Sequence, residues 1–121
     1  PRSDTELFTR VTPEARIAPA FAGLTAVLVV CGHTHMPFDR RLGGVRVLNP
    51  GSVGMPFGEP GAYWLLLDDA GPHFRRTMFD LDAAASRIRA TPYPGADAFA
   101  ANHVVMPPSE DHMIAAFESR T

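Results

Sequence analysis

At 121 residues, with 45% hydrophobic and 20% charged side chains, the chain has the proportions of one globular domain or part of a larger one, and whole-chain disorder is excluded. Lys+Arg 11 against Asp+Glu 13 leaves a net charge of -2, so no basic excess exists to neutralise phosphates and a nucleic-acid-binding module is not expected. The single cysteine, Cys31, rules out an internal disulfide; no apolar run reaches a membrane span, and the first residues do not read as a signal peptide.

In chain order, Asp4 is expected to cap a short helical turn through Thr5-Glu6-Leu7-Phe8. Thr12-Pro13-Glu14 has the pattern of a helix start: Thr at the N-cap, Pro at the first helical position, an acid in the first turn. That helix is expected to run to Ala22 and stop at Gly23, with Pro19 disturbing its last turn. Residues 26–31 are apolar throughout and rich in valine, which predicts a strand buried on both faces. Residues 38–48 read as a hairpin turning at Gly43-Gly44, and Arg40-Arg41 is expected on its solvated face. Asn49-Pro50-Gly51-Ser52 is a turn cluster, and residues 53–61 form an irregular loop rich in Gly and Pro.

A second hairpin is expected from residues 62–67 and 72–79, turning at Asp68-Asp69-Ala70-Gly71. Three helices follow. The first covers residues 83–90 and is capped by Asp80 or Asp82; the second covers 97–103; the third is opened by Ser109, with Met113, Ile114 and Phe117 as its buried stripe. The order of elements suits a mixed α/β sheet with helices packed on it.

Chemistry concentrates in Gly32-His33-Thr34-His35, where a buried strand ends at a glycine and two histidines follow two positions apart. In an extended backbone His33 and His35 project to the same side and Thr34 to the other. Two neutral imidazoles at a strand end form half of a site for a borderline ion such as Zn²⁺, Mn²⁺, Fe²⁺ or Ni²⁺. A complete site needs three or four ligands, and the neighbouring sequence offers only Asp39, which is expected to be a surface charge. His73, His103 and His112 are expected to be solvated or hydrogen-bonded, and Cys31 to be an inert core thiol.

Gly32-His33-Thr34-His35 after an apolar strand, a Gly-Gly hairpin, Asn49-Pro50-Gly51-Ser52-Val53-Gly54 and a strand with Tyr63-Trp64 together resemble the calcineurin-like metallophosphoesterases. The branch most similar is that of the small bacterial phosphodiesterases, and the likeness covers about the first two-thirds of the chain. It implies an αββα sandwich with two divalent metal ions at the strand ends, drawn from Mn, Fe, Ni or Zn, and hydrolysis of phosphomono- or phosphodiesters by metal-bound hydroxide. His33 and His35 would each ligate a different ion, while Gly32, Asn49, Gly51 and Ser52 would support or line the site.

The family's other ligand motifs, which precede Gly-His-x-His, are not in this sequence. The resemblance therefore implies the C-terminal half of such an enzyme. Residues 1–79 would belong to the phosphoesterase domain, with residues 80–121 as a helical segment packed on it. The expected partners are a phosphate-ester substrate and the N-terminal half of the same protein; homo-oligomerisation is left open. The chain alone is expected to be inactive. The family setting is bacterial and cytoplasmic. The alternative is a protein-interaction scaffold that keeps the fold, as one retromer subunit of the superfamily does.

Overall fold

The computed structural model describes residues 5–120, so the Asp4 cap lies outside the described residues. Ten elements follow one another: α1 (Glu14–Phe21), β1 (Leu28–Val30), β2 (Phe38–Leu42), β3 (Val45–Asn49), β4 (Ala62–Asp68), β5 (Gly71–Thr77), α2 (Leu81–Arg89), α3 (Ala96–Phe99) with a π-helical continuation (Ala100–Val105), and α4 (Glu110–Glu118). The strands form two sheets. β3 is central in one, pairing parallel with β1 and antiparallel with β2, while β4 and β5 pair antiparallel in the other.

The two hairpins form where turn chemistry demands them. Gly43 takes φ 61° between β2 and β3, a conformation in which a Cβ would be strained; Gly44 does not share it. Asp80 caps α2 by accepting the Ala83 N–H at 2.9 Å. Ser109 caps α4 by accepting the His112 N–H at 3.2 Å. The stripe of α4 is only half-buried at Met113, Ile114 and Phe117.

One face of the three-stranded sheet builds the core. Alternation puts Phe38 and Leu42 of β2 and Val47 of β3 on that face, where they pack on Ile17, Ala20 and Phe21 of α1. Val29 and Cys31 pack against the same cluster from β1.

Three expectations are corrected. No helical turn forms at residues 5–8; the Leu7 carbonyl instead accepts from Arg16 Nη2 at 3.1 Å and the Phe8 carbonyl from the Thr34 hydroxyl at 3.0 Å. Thr12 is not the N-cap of α1. That position falls to Pro13, without a side-chain cap bond. The Thr12 hydroxyl instead accepts the Thr9 N–H at 2.8 Å and donates to the Glu118 carboxylate of α4. Nor is the valine-rich strand buried on both faces. Regular pairing spans only three residues, and Val27 and Val30 are exposed. An apolar run states that a strand is to be covered, not which element covers it.

Arg40 also departs from the sequence reading. It lies on the core face of β2, and Nη1 donates to the carbonyls of Thr9 (3.2 Å) and Thr12 (2.6 Å). Arg41 is solvated, as expected. Among the described residues no helix is long and apolar enough to cross a membrane.

Candidate metal centre

The Gly32-His33-Thr34-His35 segment follows β1 as a turn rather than an extended strand. His33 has φ 80° and His35 φ 59°, both in the left-handed region that non-glycine residues seldom occupy. The expectation that both imidazoles share a side through strand alternation is therefore corrected: the backbone no longer alternates there. Such conformations persist only where surrounding contacts over-determine them.

Those contacts come from Thr34 and Asn49. Thr34 is buried, and its hydroxyl donates to the Phe8 carbonyl at 3.0 Å. Asn49, the last residue of β3, is fully buried too. Its Nδ2 donates to the Gly32 carbonyl and to Thr34 Oγ1, each at 3.1 Å, and its Oδ1 accepts the Gly51 N–H at 2.9 Å. One amide thus fastens the histidine turn to the Asn-Pro-Gly-Ser turn. Gly51 sits at φ 92°, where an added Cβ would come within 3.0 Å of Pro37 Cγ and of Tyr63 Cβ. Ser52 Oγ accepts the Met55 N–H at 3.0 Å.

Met55 carries the chain of contacts back to the histidines. His35 Nδ1 lies 2.9 Å from the Met55 carbonyl. A carbonyl can only accept, so Nδ1 holds the proton and, in the neutral ring, Nε2 holds the lone pair. Phe57 stacks on the His35 ring, with centroids 5.3 Å apart and planes at 23°. The buried Phe57 ring also meets Phe117 of α4 at 6.0 Å. The ring partners of Phe57 are thus the histidine and the helix.

His33 is exposed and His35 half-buried. Burial pushes the neighbouring Cys31 thiol above its usual range, which suits an inert role. The structure gathers His33, His35, Gly32, Asn49, Gly51 and Ser52 around one turn. It keeps the other histidines out of that network. His73 Nε2 pairs with Asp68 at 2.9 Å, and His112 is exposed. His103 departs from expectation: its Nδ1 is buried with no hydrogen-bond partner among the described residues, and its ring lies 5.1 Å from Phe99.

Among the described residues no group of three or more His, Cys, Asp or Glu side chains is placed to hold a metal ion. The donor set among the described residues is thus two imidazoles. One of them, His35, holds its proton on Nδ1 and offers Nε2, a donor that fits a borderline divalent ion. Thr34 and Phe117 were missed as site residues. No local signal marks them, since each acts through a partner distant in sequence.

Residues 6–70, just over half of the chain, match the family model of the calcineurin-like phosphoesterase superfamily domain. The chain belongs to this superfamily. Two solved structures are similar to this superfamily member. One is a metallophosphoesterase from Sphaerobacter thermophilus (21% identity, TM-score 0.62, covering 73% of this chain and 46% of that one). The other is the hypothetical protein PH1004 from Pyrococcus horikoshii OT3 (20% identity, TM-score 0.64, covering 88% and 42%). The mixed α/β fold is therefore that of the metallophosphoesterases, and the chain spans less than half the length of either structure. No curated protein matches it.

Proposed function

We propose that this chain is part of a dinuclear, metal-dependent hydrolase of phosphomono- or phosphodiesters, to which it contributes His33 and His35 as ligands of different ions. The observation that carries the reading is the His35 Nδ1 bond to the Met55 carbonyl, which leaves Nε2 as the donor atom. Superfamily membership supports the reaction class. When bound, a pair of divalent ions activates water and neutralises charge on the phosphoryl oxygens.

The chain's own residues have three tasks. Neutral imidazoles bind without cancelling the positive charge that a phosphate ester needs. Thr34 and Asn49 fix the backbone that presents both rings. The Met55 carbonyl holds the His35 proton at Nδ1, away from the ligating atom. Two imidazoles do not complete two metal sites, so the carboxylates and further histidines are assigned to chain outside the described residues.

The test is hydrolysis of p-nitrophenyl phosphate and bis-p-nitrophenyl phosphate by the protein carrying this chain, with metal content measured in parallel. His33→Ala and His35→Ala are each expected to lower turnover by about a hundredfold or more, equivalent to ~3 kcal/mol of transition-state stabilisation. The 121 residues alone are expected to bind a divalent ion weakly and to show no efficient turnover. Unchanged turnover and metal content in both variants would refute the assignment, whereas a parent protein with neither turnover nor bound metal would favour the interaction scaffold.

A further inference from the structure

The C-terminal helix carries no motif of its own, yet two of its consecutive residues reach the two sides of the histidine turn. Phe117 meets Phe57 at 6.0 Å, and Phe57 stacks on His35 at 5.3 Å. The next residue, Glu118, accepts a hydrogen bond from Thr9 Oγ1 at 2.8 Å and one from the Thr12 hydroxyl, while Arg16 Nη1 donates to its second oxygen at 3.0 Å. Thr9 and Thr12 are fully buried. Thr9 directly follows Phe8, whose carbonyl accepts the Thr34 hydroxyl. Thr34 and His35 are therefore each held by a segment that α4 itself holds.

The geometry points to Phe57, backed by Phe117, as the positioning residue of the His35 imidazole. The flat stack sets the plane of the ring, and the Met55 carbonyl sets its rotation about that plane. Phe117 keeps Phe57 from swinging away from the ring, because the Phe57 side chain is buried between the two. Ligand imidazoles owe part of their affinity to neighbours that fix ring orientation and tautomer. The helix thus acts on the metal affinity of His35 through the Phe57 ring. This inference rests on His35 being a ligand for its metal consequence, but not for its effect on the ring.

Two readouts test it. The first is the imidazole ¹⁵N spectrum of the metal-free protein, which reports the His35 tautomer. The second is Zn²⁺ affinity. Phe57→Leu and Phe117→Ala are expected to convert His35 from the Nδ1–H form to a mixture of tautomers and to weaken Zn²⁺ binding about tenfold. Phe117→Leu removes the ring but keeps more of the apolar volume than alanine, and serves if the alanine variant does not fold. Phe99→Ala removes an aromatic contact in α3 and controls for general loss of stability.

A tautomer unchanged in the Phe57 and Phe117 variants, or changed equally by Phe99→Ala, overturns the positioning role. His35→Ala separates the two readings. If that variant binds Zn²⁺ as the parent does, the metal reading fails, while the spectrum still decides the positioning role.

Discussion

Asn49 uses its whole amide at the histidine turn: two donated bonds and one accepted, with no exposed surface. Its immediate neighbours read as a turn, and the family resemblance implies a supporting place beside the site. The folded chain makes it the joint between the end of β3 and the segment after β1. Removing it leaves the buried Thr34 hydroxyl, the Gly32 carbonyl and the Gly51 N–H without that partner. Asn49→Ala is therefore expected to destabilise the fold by about 2–4 kcal/mol, seen as a lower urea midpoint with an unchanged slope. His33 and His35 show the reverse relation. Their residue types were legible as candidate ligands, but their left-handed backbone was not, because it is imposed by Thr34 and Asn49.

At the scale of elements, β1 is the informative strand. The Cys31 N–H donates to the Leu48 carbonyl at 2.8 Å, and the Val27 carbonyl accepts from Arg46 at 2.9 Å. Odd-numbered residues thus face β3, and the N–H groups of Leu28 and Val30 face the other edge, where no strand pairs among the described residues. Amide hydrogen exchange is expected to be fast at Leu28 and Val30 and slow at Val29 and Cys31. Equal protection at all four would contradict the register. The hairpins, the Asp80 cap and the Ser109 cap were legible because each is decided within a few residues.

Across the whole molecule, residues 7–12 tie together parts that are far apart in sequence. Arg40 from β2, Thr34 from the histidine turn and Glu118 from α4 all bond to this segment. Burial by itself would raise the Glu118 carboxyl. The hydrogen bonds from Thr12 and Thr9, with the charge and hydrogen bond of Arg16, outweigh it and hold the group below its ordinary value of 4.5. A carboxyl depressed in the folded state stabilises the fold above its unfolded value, and the contribution is lost as pH falls through the lower folded value. Stability is thus expected to decline below about pH 4.5, and Glu118→Gln to remove that part of the decline. The check is denaturant unfolding of both proteins between neutral pH and pH 3. An identical pH profile in the variant would assign the loss to other carboxyls.

The sequence by itself determined the two hairpins, the caps of α2 and α4, the pair of histidines and the family resemblance, since residue type and short spacing carry all of these. Only the tertiary structure decided that Thr12 serves Glu118 rather than α1, and that Arg40 turns inward to Thr9 and Thr12. The same holds for the clasp of His35 between the Met55 carbonyl and the Phe57 ring. Each of these outcomes depends on a partner about twenty or more positions away. Local propensity has no term for such a contact, and only the packed chain supplies it.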